Sequence, residues 1–307
     1  METHHDGGTA DAAARAVEAS PAYTGALSVG ALLGAMSIRR VLSQTADEAV
    51  YVGFNEKLKR RFAVREYLPQ ALAHRGPGGL LELRSAADGA TFLRGIQAFL
   101  EQAERRAALP QGVLLGVRRV WEENGTAYLC VPYPRAPTLA EVRAARTGPP
   151  DETWLRDRLL APLLEALEQL HGASLWHGGL APDKVLMLPE ERTVLLDFAS
   201  PPRGELAPGQ AQDLRSLAAL ACFAIAGTAP PAEHAAPAEW LREALQRVGG
   251  PSFSDGLLAT LDAVLTASDD APLLGVQAFR EALAGRAAPQ APALPVPVPV
   301  PVAVEEP

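Results

Sequence analysis

The sequence contains little cysteine and no long apolar run. Only Cys130 and Cys222 occur, both inside apolar stretches, which excludes a disulfide framework and predicts two buried thiols in a reducing compartment. The longest apolar run, residues 217–227, is too short for a membrane-spanning helix of about 20 residues. The first residues are polar and Ala-rich, unlike a secretory signal. These absences predict a cytoplasmic protein that does not associate with membranes.

Positive charge is also in deficit. The chain has 28 basic and 36 acidic residues, a formal net charge of -8, which argues against nucleic acid as the main partner. Its 307 residues, 48% of them hydrophobic, are enough for a large two-lobed unit with a substantial core.

The two ends of the chain differ in composition from the middle. Residues 1–24 are small and polar without sustained periodicity, which predicts a disordered tail. From about residue 287, proline and valine alternate, a pattern that favours extended polyproline II. Such a tail could dock into an aromatic-lined groove, but a spacer or free tail is the favoured interpretation.

The most informative stretch, residues 170–200, reads LHGASLWHGGLAPDKVLMLPEERTVLLDFAS. Its pattern predicts a helix end, a loop, and a hairpin with strands at 185–188 and 193–196. The stretch resembles the catalytic core of bacterial eukaryotic-like Ser/Thr protein kinases, whose pattern is H-R-D-L-x-x-x-N, a hairpin and D-F-G. The matching residues are His177, Leu180, Pro182, Asp197 and Phe198.

The resemblance also shows what the loop lacks. The position of the catalytic Asp holds Gly179, that of the loop Lys holds Ala181, and that of the metal-binding Asn holds Lys184. Asp197 is then the only matched metal ligand. His177 is expected to be a structural histidine. The resemblance therefore implies a degenerate member of the family, a pseudokinase.

The phosphate-binding turn of the family is altered as well. Strands are predicted at 37–42 and 49–54, and the three glycine positions between them hold Ser43, Thr45 and Glu48, with Asp47 beside the last. Glycines at these positions let the backbone approach the phosphates. We expect the two carboxylates to face the phosphate position and to repel a nucleotide.

The family's lysine–glutamate ion pair is changed at both ends. The third strand, predicted at 61–67, carries Arg65 at the lysine position, and Arg does not replace Lys freely. The following helix, predicted at 91–109 from its apolar spacing, carries Gln102 at the glutamate position. Two further strands, predicted at 113–121 and 126–133, lead into an interlobe linker.

That linker is rich in proline. By the resemblance, Val131 takes the gatekeeper position and Pro134 the position whose backbone N–H would bond adenine. Proline has no N–H. An unpaired adenine nitrogen in a dry pocket costs roughly 1–3 kcal/mol.

In the second half of the chain, Asp151 is predicted to cap a helix whose buried stripe is leucine-rich and which Pro162 should kink. Asp213 is expected to begin a buried helix that resembles helix F of the family, and to bond the backbone of the loop. Between Asp197 and Asp213 there is no room for a normal activation segment and no A-P-E motif. Ala271 takes the position of the arginine that would pair with that motif.

These patterns together predict an α+β, two-lobed protein-kinase-like fold. The predicted parts are a β-rich N-lobe at 25–131, a hinge at 132–137 and a helical C-lobe at 138–286. The predicted function is a catalytically inactive scaffold or regulator without a cofactor. It would act in bacterial signalling on a protein partner such as an active kinase or phosphatase.

Two alternatives remain open at this point. One is a working ATP-dependent phosphotransferase that uses ATP and Mg²⁺, with Asp197 as metal ligand and Asp183 or Glu48 as a stand-in. The other is an adaptor that acts through its Pro-rich tail.

Overall fold

A computed structural model describes residues 24–110, 112–189, 192–196, 208–231, 236–251, 253–267 and 275–284. The predicted tails at 1–24 and 287–307 lie outside this range, apart from Thr24. So do Asp197, Phe198 and Ala271.

The described residues divide into two compact units. The N-terminal unit runs to Ala136 and includes Leu196, and the C-terminal unit takes the chain from Pro137 to Leu195 and the described residues from Pro208 onward. The boundary falls inside the predicted linker at 132–137.

The N-terminal unit is built on a six-stranded antiparallel sheet in the order β1-β2-β3-β4-β8-β7. Its strands, and those of the small hairpin β5–β6, are β1 Leu32–Leu33, β2 Met36–Gln44, β3 Glu48–Asn55, β4 Arg60–Tyr67, β5 Ala73–Arg75, β6 Leu81–Leu83, β7 Arg119–Glu123 and β8 Thr126–Pro132. The predicted strands at 37–42, 49–54, 61–67 and 126–133 are therefore confirmed to within about two residues at each end.

The strand predicted at 113–121 is wrong in its first six residues, because β7 begins only at Arg119. The turn after it is also shorter than the four residues, 122–125, between the two predicted strands. It is the dipeptide Asn124–Gly125, with φ of 52° and 74°. Positive φ at both central residues is the requirement of the tightest hairpin turn, and Asn-Gly satisfies it best.

One helix, α1 Gly89–Ala107, packs on this sheet. Phe92 and Phe99 on its buried face contact the ring of Tyr67 on β4, with ring centroids 5.6 and 6.2 Å apart. A Cβ at Gly95 would collide with the Tyr67 hydroxyl, so glycine there lets the helix approach the strand. The predicted helix at 91–109 is confirmed with a shift of two residues.

The C-terminal unit is mainly helical. Its helices are α2 Leu139–Ala145, α3 Glu152–Trp154, α4 Ala161–Gly172, α5 Pro208–Ala226, α6 Pro237–Val248, α7 Asp255–Thr266 and α8 Val276–Leu283, with the hairpin β9 Val185–Leu188 and β10 Arg192–Leu195. The predicted leucine stripe is fully buried (Leu155, Leu159, Leu163, Leu167 and Leu170). An α+β fold with a β-rich and a helical unit is thereby confirmed.

The predicted disturbance at Pro162 takes the form of a π-helical stretch, Leu155–Leu160, between α3 and α4. There the Ala161 N–H reaches back five residues to Arg156 O. Proline at 162 offers no N–H to the carbonyl four residues earlier, that of Arg158. The Thr193 hydroxyl on β10 donates to that carbonyl instead. The Asp151 side chain caps the start of this helix, accepting from Trp154 N at 2.7 Å.

Helix α5 corrects one sequence expectation. Asp213 does not begin this helix, which already starts at Pro208. The leucines and alanines that follow Asp213 are almost all buried, as the apolar pattern predicted. None of the described helices combines the length and hydropathy that a membrane span requires.

Both cysteines are free and buried, as predicted. Burial raises the pKa of the Cys130 thiol to about 11 and that of Cys222 to about 12. Both therefore stay protonated and unreactive near neutral pH.

Candidate functional site

The turn between β2 and β3 is the one that the sequence resemblance aligns with a glycine-rich loop. It is a tight turn in which Thr45 N donates to Glu48 O at 2.8 Å. The chain after β4 holds this turn: Leu68 N donates to Asp47 O at 2.7 Å and Gln70 N to Ala46 O at 2.9 Å. Ser43 lies within β2, and Glu48 is the first residue of β3.

The centre of the site in the N-terminal unit is a buried ion pair between Arg65 and Glu48. Arg65 is 2% exposed and Glu48 8%. The guanidinium Nε donates to Glu48 Oε2 at 2.7 Å, and Nη2 donates to Oε1. The expectation that Glu48 faces an open phosphate position is therefore wrong. Its carboxylate turns toward β4 because a buried guanidinium there supplies a bidentate partner.

On the helix side, the residue found against Arg65 is Phe99, whose ring centroid lies 5.1 Å from the guanidinium carbon. Gln102, predicted to stand at the glutamate position, follows nearly one turn later and is half-buried. The aromatic face adds a cation–π contact to the ion pair. Arg65 is thus held by a carboxylate of β3 and a ring of α1.

Sequence reasoning missed a second buried polar group on the other face of β4. Glu66 is fully buried and accepts from Arg75 Nη2 at 2.6 Å, Tyr128 Oη at 2.5 Å and the Tyr51 hydroxyl. Burial, reinforced by the Glu66 charge, raises the pKa of both tyrosines far above the usual value. The signal was a Glu next to Arg65, directly after the apolar residues 62–64, since alternation places neighbours on opposite faces.

The linker residues follow β8. Val131 is fully buried and pairs with Ala63 of β4. Tyr133 N donates to Arg61 O at 3.1 Å. Pro134 comes next, half-buried, and contributes no N–H.

In the C-terminal unit, Asp213 organises the loop at 176–184. Its Oδ2 accepts from His177 N at 2.7 Å and its Oδ1 from Gly178 N at 2.8 Å, as the sequence predicted. His171 Nε2 lies 3.0 Å from Oδ2. Gly178 has a φ of 71°, a left-handed conformation that an arginine at this family position would adopt only at a cost.

The three positions that were predicted to be degenerate, Gly179, Ala181 and Lys184, lie in the same loop. Gly179 is exposed and Ala181 half-buried, and Lys184 N donates to Ala181 O at 3.0 Å. Lys184 Nζ is 3.9 Å from an oxygen of Asp183, whose side chain is 67% exposed. His177, by contrast, is fully buried, consistent with a structural role.

No group of three His, Cys, Asp or Glu side chains that could hold a metal occurs among the described residues. The predicted metal ligand Asp197 lies outside them. Of the predicted site residues, the structure brings together Arg65 with Glu48, and Asp213 with the loop of His177.

Several solved structures share this fold. The apo form of PpkA is 26% identical to this chain, covering 85% of it and 100% of its own length, with a TM-score of 0.62. The PknI kinase domain of Mycobacterium tuberculosis is 22% identical, with coverages of 85% and 100% and a TM-score of 0.57. The PAN3 pseudokinase of Neurospora crassa is 16% identical, with coverages of 83% and 63% and a TM-score of 0.54.

Comparison of the sequence with protein-family models gives no match, and comparison with curated protein sequences gives none either. The structural similarity is nevertheless extensive, because it covers 85% of this chain and the whole length of the bacterial domains. The chain therefore has the protein-kinase-like fold of these bacterial domains.

Proposed function

We propose that this protein is a pseudokinase that binds no ATP·Mg²⁺ and transfers no phosphate. Its role would be that of a cytoplasmic scaffold or regulator of a protein partner, such as an active kinase or phosphatase. One observation carries the proposal: the buried, bidentate ion pair between Arg65 and Glu48.

The ion pair opposes nucleotide binding in two ways. The lysine of an active kinase reaches the phosphates, and the glycines leave room for them. Here two donors of Arg65 already bond Glu48, which itself replaces the third glycine. Opening a buried ion pair costs about 3–5 kcal/mol, or roughly two to four orders of magnitude in affinity.

The remaining positions act in the same direction. Pro134 cannot donate to adenine, at roughly 1–3 kcal/mol. Gly179 offers no carboxylate to a substrate hydroxyl, and loss of a general base alone costs about 10²–10⁴-fold in rate. Lys184 brings a positive charge to the position of a metal ligand.

The rewired-enzyme alternative has less support. Glu48 is committed to Arg65, so it is not free to act as a base or metal ligand. Asp183 is exposed and lies near the Lys184 ammonium. The adaptor alternative depends on the Pro-rich tail at 287–307, outside the described residues.

Calorimetric titration of the full chain with ATP and Mg²⁺ to millimolar concentration tests the proposal, together with phosphotransfer from radiolabelled ATP. We expect neither saturable heat nor labelled protein. Saturable binding that Asp197→Ala abolishes, or phosphotransfer that Asp197→Asn abolishes, would show a working nucleotide site and overturn it.

A further inference from the structure

A basic groove lies in the N-terminal unit, in an otherwise acidic chain. It has a volume of about 520 Å³ and is lined by Leu58, Arg60, Arg61, Phe62, Arg118 and Pro132. We propose that this groove binds an extended acidic peptide segment of a partner protein, with carboxylates on the arginines and an aliphatic side chain on the apolar floor. The inference deepens the proposed function, since it assigns a docking surface to a protein proposed to act through a partner.

Strand pairing builds the groove. The β3–β4 turn supplies Leu58, and β4 supplies the next three lining residues. Phe62 pairs with Pro132 at the end of β8, and Arg118 N donates to Cys130 O at 2.8 Å. The three arginines are therefore carried on a hydrogen-bonded sheet, which fixes their backbone positions before any ligand arrives.

The charges in the groove are unbalanced. Arg60, Arg61 and Arg118 are exposed, and within the described part of the chain their side chains make no hydrogen bond or ion pair. Residues 55–61 contain four basic side chains and one acidic one. The acidic one, Glu56, is already paired with Arg39 and Lys59. Unpaired guanidinium groups carried on such a backbone can bind carboxylates.

The apolar residues that line the groove favour a peptide over other anionic ligands. Leu58 is 59% exposed, and Phe62 and Pro132 are half-buried. An inorganic anion would leave this apolar surface uncovered. A nucleic acid would need a longer basic track than three arginines, on a chain of net charge -8. A peptide that carries both carboxylates and an apolar side chain satisfies the rim and the floor together.

The groove is separate from the Arg65–Glu48 pair. Neither Arg65 nor Glu48 lines the groove. Peptide binding to the groove and nucleotide binding at Arg65 can therefore be measured independently. A titration that shows no peptide binding would overturn this inference but not the proposed function. Saturable ATP binding would overturn the proposed function but not this inference.

Fluorescence anisotropy of the full-length protein with a labelled peptide Glu-Glu-Leu-Pro-Glu-Glu provides the test. We expect saturable binding that weakens with added salt. It should weaken further when Gln replaces Glu or Ser replaces Leu in the peptide. The double variant Arg61→Glu, Arg118→Glu should weaken binding at least about tenfold, as expected from the loss of charge-assisted hydrogen bonds.

Arg105→Glu is the matched control, because Arg105 is exposed on α1, outside the groove. It should change the affinity less than about twofold, as a distant screened charge does. Equal losses from both variants would indicate nonspecific attraction and overturn the proposal. The proposal would also be overturned if the peptide with Gln in place of Glu bound as tightly as the original one, or if a single-stranded oligonucleotide bound more tightly. Tighter peptide binding after deletion of residues 287–307 would assign the groove to the chain's own tail and also overturn it.

Discussion

At the scale of single residues, the site is governed by where charge is buried. Arg65 and Glu66 are neighbours in β4, yet each has its own set of partners on its own face of the sheet. A buried charge without a partner costs several kcal/mol, so each carboxylate and guanidinium here must keep its partner for the unit to remain folded.

Glu48→Ala should therefore destabilise the protein by about 3–5 kcal/mol, because it leaves the buried Arg65 without its carboxylate. The double variant Glu48→Ala, Arg65→Met should be much less destabilised, since no unpaired charge remains. Urea unfolding measures both. Glu56→Ala serves as the control, since Glu56 is exposed and exposed pairs contribute about 0–1 kcal/mol. If the double variant were as unstable as Glu48→Ala alone, the broken ion pair would not be the cause.

Because Tyr51 and Tyr128 bond Glu66, we expect the protein to lose stability at alkaline pH. Their folded-state pKa values are raised, so above about pH 10 the unfolded chain releases these protons while the folded chain keeps them. The free energy of unfolding should fall as the pH rises through this range. Tyr128→Phe should flatten the dependence, whereas Tyr133→Phe, outside the cluster, should leave it unchanged. Unfolding curves collected between about pH 9 and 11 measure the slope, and identical slopes in all three proteins would contradict the prediction.

At the scale of elements, a hydrogen bond that one helix lacks is replaced by a side chain of a neighbouring hairpin. Pro162 deprives the Arg158 carbonyl of a helical donor, and the Thr193 hydroxyl of β10 takes its place. The helix thus remains continuous through the π-helical stretch, and the hairpin is joined to it.

Thr193→Val should cost about 1 kcal/mol, because it removes the hydroxyl donor of that half-buried carbonyl. In a Pro162→Ala background the same substitution should cost much less, since the alanine N–H can bond the carbonyl. Thermal unfolding of the wild type, Thr193→Val, Pro162→Ala and the double variant gives a double-mutant cycle, which measures the coupling between the two residues. As a control, Thr260→Val removes a hydroxyl that donates to Gly256 O within α7, and its cost should not depend on residue 162. Equal costs of Thr193→Val in both backgrounds would refute the coupling.

At the scale of the whole molecule, the Pro-rich tail is expected to be independent of folding, because it has no apolar periodicity that could face a core. Deletion of residues 287–307 should leave the melting temperature unchanged. A change of 1 kcal/mol in stability would shift it by about 2–4 °C in a domain of this size. A drop of several degrees in a thermal-shift measurement would mean that the tail packs on the domain.

Most of the fold could be predicted from the sequence, because most elements show a pattern within one short segment. Examples are the leucine stripe from Leu155 to Leu170, the alternation in β3 and β4, and the Asp151 cap. The failures have local causes as well. The strand predicted at 113–121 begins six residues too early, since β7 starts at Arg119 and ends at the tight Asn124–Gly125 turn. Helix α5 begins five residues before Asp213, whose carboxylate bonds the loop at 176–184 instead.

The sequence by itself predicted, through the resemblance, that Arg65, Gln102, Pro134, Gly179 and Lys184 stand at positions of the kinase pattern. Only the tertiary structure decided which groups the buried charges contact. Whether Glu48 faces a phosphate position or Arg65 depends on the pairing of β3 with β4, a contact between residues 17 apart. The Arg158 carbonyl meets Thr193 across 35 residues. Such partners are chosen by the register of packed elements, and a buried charge or carbonyl takes whichever group the fold brings within hydrogen-bonding distance.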